Sequence, residues 1–176
     1  MCTQELKIGT IPAVLYGKPA PNIWLFVHGQ GGNKTEAAAF AALAAPTGWQ
    51  VLGIDLPERG DRTRATDFTP WQVVPELPTL LAYLQQHWQG IRLRANSIGA
   101  YFSMLAFAGA TIEKALFVSP IVDMERLIGR IVGIFVLDAA AAAGVVTRAR
   151  HGYPLMPLLV LAGVFTKSAQ FPLHFW

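Results

Sequence analysis

The stretch Ile91-Arg92-Leu93-Arg94-Ala95-Asn96-Ser97-Ile98-Gly99-Ala100 constrains this chain more than any other. Ile91 to Ala95 reads as a strand, and Ile98 to Ala108 as a helix of mostly small residues. Almost nothing separates them, so the chain must turn sharply at Ser97. A corner of this kind lifts the hydroxyl above the C-terminal edge of a sheet and aims a helix N-terminus at it. Small residues two before and two after the serine permit the turn; here they are Ala95 and Gly99. Glycine at both places is the usual pattern, and the single methyl of Ala95 is the least costly departure. The bland alternative is a turn serine that caps the helix.

The rest of the first 128 residues keeps the rhythm that such a corner needs. Leu6 to Ile11 and Ala13 to Tyr16 read as two short strands around Gly9 and Pro12, an opening hairpin. Ile23 to Val27 is a continuous apolar run of strand length, which suits a strand covered on both faces. It ends in His28-Gly29-Gln30-Gly31-Gly32-Asn33, and an alanine-rich helix fits Thr35 to Ala45. Val51 to Ile54 is a further buried strand, followed by a polar loop from Asp55 to Asp67. Thr69-Pro70 starts a helix whose first turns Pro75 and Pro78 should make irregular, with regular spacing from Leu77 to Trp88 and a stop at Gly90. Lys114 to Val118 is one more strand, ending at Ser119-Pro120. Strands alternating with helices predict an α/β fold with a mostly parallel sheet flanked by helices.

The four motifs found along the way resemble α/β-hydrolases when taken in order, over roughly residues 5 to 128. His28-Gly29-Gln30-Gly31-Gly32 resembles that family's oxyanion loop, and Asp55-Leu56-Pro57-Glu58-Arg59-Gly60-Asp61-Arg62 its loop after the next strand. Asn96-Ser97-Ile98-Gly99 resembles the nucleophile elbow, and Lys114 to Met124 the following strand and its exit. The resemblance implies a truncated α/β-hydrolase fold with Ser97 as nucleophile. The backbone N–H of Ile98, with that of Gln30 or Gly29, would form the oxyanion hole. His28 reads as a structural histidine, Asp55 and Asp61 as loop and turn residues, and Glu58 and Arg59 as solvated. The family's acid and histidine follow later strands. The candidates downstream are Asp123, which reads equally as the start of a helix, and His151 and His174, neither of which follows a strand.

Charge divides the chain at the same place. Through Ile128 ten basic residues meet ten acidic ones; from Gly129 onward four basic residues meet Asp138 alone, which is the whole net charge of +3. No basic stripe with interleaved aromatics accompanies it, so a nucleic-acid partner is not expected. Residues 129–176 are expected to form an apolar helical tail, with runs at Ile131 to Val146 and Tyr153 to Phe165. Two readings stay open for these runs, buried soluble helices or membrane-type helices that would give the tail contact with a membrane. Leu161 to Trp176, with Lys167-Ser168-Ala169-Gln170-Phe171-Pro172, is similar to a helix of the antiporter-like subunits of complex I and multisubunit Na⁺/H⁺ antiporters. In that family a lysine at the Lys167 position belongs to the proton path. Two unrelated resemblances in one chain raise the expectation of a fused or frameshifted reading frame.

The sequence thus predicts a serine hydrolase acting on a small ester, thioester or amide, its partner a small acyl substrate and its chemistry free of metal or organic cofactor. The alternatives are a non-catalytic scaffold of the same fold and a membrane-associated antiporter fragment. Cys2 is the single cysteine, so no internal disulfide can form, and Met1 to Lys7 lacks the order of a secretory signal. Both fit a reducing cytoplasm. Trp24, Trp49, Trp71 and Trp88 read as packing residues, and oligomeric state is left open.

Overall fold

The structure is a computed structural model and describes residues 2–62 and 68–130. The chain divides between Ile121 and Val122 into two units. In the first, six strands form one sheet in the order β1-β2-β4-β3-β5-β6. They are β1 (Thr3–Ile8), β2 (Ile11–Tyr16), β3 (Asn22–Val27), β4 (Trp49–Ile54), β5 (Gly90–Asn96) and β6 (Lys114–Val118). The helices are α1 (Ala37–Ala44), α2 (Pro70–His87) and α3 (Ile98–Ala106).

The sheet is mixed rather than mostly parallel. β3 to β6 run parallel, whereas β1 and β2 form an antiparallel hairpin whose second strand pairs antiparallel with β4. Ile8 pairs with Ile11, so the hairpin turn is Gly9-Thr10, with Gly9 at φ 59. Glycine at the first of two turn residues matches the twist of the flanking strands. Pro12 therefore lies inside β2, opposite Lys7, and not in the turn.

β3 is central because it can be covered on both faces: Ile23, Leu25, Phe26 and Val27 are all buried. Phe26 joins Val14, Tyr16 and Val51 against Ala37, Ala41 and Ala44 of α1. Those alanines recur at helical spacing and let the helix approach closely. A side chain at Gly53 would come 2.7 Å from the Ala37 methyl, so the approach requires glycine there. Alternation along β3 sends Ile23, Leu25 and Val27 to the opposite face. α3 packs on that face, beside α2. Val73, Leu77, Leu80, Leu81 and Leu84 of α2 and Phe102 of α3 are buried, each contributing about 1.5–3 kcal/mol by leaving water.

α2 runs unbroken from Pro70 to His87 with Pro75 and Pro78 inside it. Each proline removes one internal N–H donor. The buried leucine stripe prevails over that local cost, which spacing alone did not foretell. Four of the tryptophans expected to pack divide three to one. Trp24 and Trp49 pack against the α1 core, and Trp88 donates its indole N–H to Gln50 Oε1 at 2.8 Å. Trp71 is 63% exposed.

In the second unit, residues 124–130 are helical. Among the described residues no helix is long and apolar enough to cross a membrane. The two apolar runs of the tail, His151, Lys167 and His174 lie outside the described residues.

Candidate active site

The C-terminal ends of β3, β4, β5 and β6 lie along one edge of the sheet because these strands are parallel. Ser97 stands at the end of β5, immediately before α3, with φ 50 and ψ −118. A left-handed φ on a residue with a side chain is uncommon, and it persists only where the surroundings enforce it. Here two parts of the corner hold it. The Ser97 N–H donates to the Val118 carbonyl at 2.9 Å, and its own carbonyl accepts from Ala100 N at 3.1 Å, starting the helix. A helix-capping serine has extended φ and ψ and accepts a first-turn amide with its side chain. Ser97 has neither that conformation nor such a bond, so the bland reading does not describe it.

Two neighbours make the corner tight. Ala95 is completely buried, its methyl accommodated where the pattern usually has glycine. A Cβ at Gly99 would lie 3.0 Å from Val27 Cγ1 and would collide with the His28 carbonyl oxygen. The first turn of α3 is thus pressed against the end of β3, which carries the glycine-rich loop. That loop reaches the serine: a Cβ at Gly29 would stand 3.3 Å from Ser97 Cβ and 3.3 Å from the Asn96 carbonyl oxygen. Residues 28 to 32 and the strand–helix corner therefore share one small space.

His28 organises the loop. Its ring is fully buried, with Nδ1 2.8 Å from the Gly29 carbonyl and Nε2 accepting from Leu56 N at 3.1 Å. A carbonyl can only accept and an amide N–H can only donate, so the ring is neutral with its proton on Nδ1. Burial holds its pKa below the ordinary value, prevailing over the opposite influence of the Gly29 bond and of Asp55. Both nitrogens are committed, and His28 is structural, as its sequence context implied. The Gly29 carbonyl also accepts from Gly32 N at 3.2 Å, closing a turn with Gly31 at φ 76. Because a trans peptide opposes its C=O and N–H, pinning the Gly29 carbonyl from two sides also fixes the direction of the Gln30 N–H. Gln30 itself is exposed.

A buried polar cluster anchors the loop's far end. Asp55 is fully buried and accepts from Lys34 N at 2.7 Å, Asp61 N at 3.0 Å and Lys34 Nζ at 3.3 Å. Lys34 Nζ also pairs with Asp61. Burial works to lower the Lys34 pKa, but the two carboxylates prevail and raise it. Gly60, at φ 54, is required because a Cβ there would meet the Asp55 carboxylate. Arg62, also buried, grips Glu76 of α2 with two bonds of 2.7 and 2.8 Å. Asp55 and Asp61 are loop residues as expected, but Arg59 is not simply solvated: its guanidinium lies 4.7 Å from the Phe68 ring centre. Lys34 and Arg62 were not singled out from sequence, where charged loop residues read as surface.

The acid and base candidates are not brought to Ser97. Asp123 lies in the second unit, and its Oδ1 accepts from Arg126 N at 2.8 Å, the bond of a helix start. His151 and His174 lie outside the described residues. His87 bonds to the Tyr83 carbonyl at the C-terminus of α2, just before the start of β5, whereas Ser97 follows the end of β5. Among the described residues no group of three His, Cys, Asp or Glu could hold a metal ion.

No family model matches the chain. Solved structures of α/β-hydrolases do match it. Potato (Solanum tuberosum) epoxide hydrolase I is 16% identical with a TM-score of 0.58, over 66% of this chain and 39% of that one. An esterase from Exiguobacterium antarcticum is 12% identical with a TM-score of 0.54, over 66% and 44%. A Vigna radiata epoxide hydrolase variant is 18% identical with a TM-score of 0.53, over 65% and 37%. The fold therefore resembles that of α/β-hydrolases, and the chain spans well under half the length of these structures. The tail resemblance has a counterpart too: 50 residues of this chain are 52% identical to a protein of Rhizobium meliloti named as a probable K(+)/H(+) antiporter subunit. They make up 28% of this chain and 5% of that protein.

Proposed function

We propose that this chain carries the nucleophile half of a serine hydrolase acting on a small ester, thioester or amide. The observation that supports the reading best is Ser97 at φ 50 on the corner between β5 and α3, with Gly29 packed against it. In this mechanism Ser97 Oγ attacks the acyl carbon, the carbonyl oxygen becomes an oxyanion, and the alcohol, thiol or amine leaves. Water then hydrolyses the acyl-enzyme and regenerates the hydroxyl. The N–H of Ile98, in the first turn of α3, and the N–H of Gln30 or Gly29 would stabilise the oxyanion. The Ser97 proton needs an acceptor, for which Asp123, His151 and His174 remain the candidates. The substrate is a small acyl compound, the reaction needs no metal or organic cofactor, and the cytoplasm is the proposed compartment.

Hydrolysis of short-chain p-nitrophenyl esters by purified full-length protein tests this. Turnover above buffer that disappears in Ser97→Ala supports the reading; turnover unchanged in that variant contradicts it.

One observation favours a second reading, a non-catalytic scaffold of the same fold: both nitrogens of His28 are committed to Gly29 and Leu56. Without a base, removal of the Ser97 proton is slowed by several orders of magnitude. The scaffold reading expects folded protein without esterase turnover. The antiporter match supports a third, in which the tail associates with a membrane; fractionation of expressed protein between membrane and soluble pools tests it.

A further inference from the structure

Three residues other than glycine have positive φ among the described residues: Glu58 at 57, Ser97 at 50 and Ser119 at 48. Each follows the C-terminal end of a parallel strand, so the left-handed backbone gathers on the edge that carries Ser97. Glu58 is half-buried and its carbonyl accepts from Arg59 Nη1 at 3.1 Å, a local bond that accounts for its conformation. Ser119 is exposed, and no packing accounts for its.

Its position is fixed from both sides. Val118 pairs with Asn96, and the Val118 carbonyl accepts from Ser97 N at 2.9 Å. The peptide entering Ser119 is thereby tied to the nucleophile corner. Pro120 follows, and the residue before a proline is sterically driven toward extended backbone. Ser119 is held in the left-handed region against that preference, a conformation that glycine or asparagine would adopt at lower cost. Neighbouring strands are about 4.8 Å apart, so Ser119 stands one strand spacing from Ser97 on the same edge. An exposed hydroxyl is thus fixed beside the proposed attacking oxygen.

We propose that Ser119 is a substrate-positioning residue of the Ser97 site, its hydroxyl donating a hydrogen bond to a polar oxygen carried by the acyl substrate. The substrate class narrows to acyl compounds with an ether, hydroxyl or carbonyl oxygen near the scissile carbonyl. This inference rests on the hydrolase reading above.

The test compares two fluorophosphonates on full-length protein, one with a plain alkyl chain and one with a glycol chain, reading the labelling rate of Ser97 by peptide mass spectrometry. One hydrogen bond corresponds to a loss of about fivefold, so Ser119→Ala should slow the glycol probe by that factor and leave the alkyl probe within about twofold. Ser119→Gly should lose the same selectivity while raising the melting temperature, since it relieves the backbone. Ser119→Asn, which tolerates positive φ and keeps a donor, should retain the selectivity. A glycol-to-alkyl ratio unchanged in both the alanine and glycine variants would overturn the positioning role while Ser97 still labels. Failure of wild-type Ser97 to react with either probe would remove the hydrolase reading and this inference together.

Discussion

Gly29 and Ser97 touch through the space that a single methyl group would fill: a Cβ on Gly29 would stand 3.3 Å from Ser97 Cβ. The contact joins the loop after β3 to the corner after β5, two segments almost seventy positions apart in sequence. It follows from the parallel pairing of β3 with β5, in which Val27 sits beside Ala95. Both strands then release their next residues at the same height on the sheet.

Gly29→Ala tests that contact. A methyl group at this distance can be accommodated only if the loop or the serine moves by a few tenths of an ångström. Labelling of Ser97 by a fluorophosphonate should fall by about tenfold or more, as reacting groups lose alignment. Thermal stability should change little. An unchanged labelling rate would show that the loop is not part of the reactive geometry.

Gly99→Ala should behave differently. Its methyl would meet the His28 carbonyl oxygen and the end of β3, neither of which can rotate away. Overpacking against backbone costs about 1–3 kcal/mol, so urea denaturation should show a midpoint shift of that size. A midpoint equal to wild type would mean that α3 does not pack on Val27 as described.

His28 should make stability depend on pH. Its folded pKa lies below the ordinary 6.5, because burial disfavours the charged ring. The unfolded chain therefore binds a proton more readily, and stability falls as pH drops below the unfolded value toward the folded one. Above that range the contribution is fully present. Comparing melting temperatures at pH 8 and at pH 5 should show a loss that is smaller in His28→Gln, whose side chain does not titrate. An equal loss in both proteins would assign the pH dependence to other groups.

Lys34→Met should destabilise the protein far more than removal of a surface charge. Lys34 Nζ is 3.3 Å from an Asp55 carboxylate that is completely buried. Removing one partner of a buried pair leaves an uncompensated charge, at a cost of about 3–5 kcal/mol. Arg92→Met, which breaks an ion pair half open to water with Glu113, should cost much less. Equal denaturation midpoints for the two variants would contradict the buried cluster.

The backbone plan was legible where local pattern and tertiary role agree. The apolar run Ile23 to Val27 became the central strand because a strand covered on both faces has no polar side to alternate. The Ser97 corner was legible because a strand that meets a helix without a loop leaves the chain one way to turn. Pro75 and Pro78 misled because helix continuity in α2 is decided by burial of Leu77, Leu80, Leu81 and Leu84, which spacing reports only once the partner face is known. The hairpin moved the sheet from mostly parallel to mixed, since the pairing of β2 with β4 depends on residues some forty positions away. Lys34 and Arg62 gave no sign of burial, because their compensating carboxylates Asp55 and Glu76 become neighbours only in the folded chain. Arg92 and Arg94 read as solvent-facing strand residues, yet their guanidinium groups lie 3.9 Å from the Trp49 ring centre and 4.4 Å from that of Phe40.

Everything proposed about chemistry comes down to whether the folded corner makes one hydroxyl unusually reactive. Intact-protein mass spectrometry after exposure to a fluorophosphonate decides it, with native protein, Ser97→Ala and heat-unfolded protein compared. The account predicts a single adduct on native protein, mapped to Ser97, and none on the variant or the unfolded chain. No adduct on native protein, or one that persists in Ser97→Ala, would contradict it.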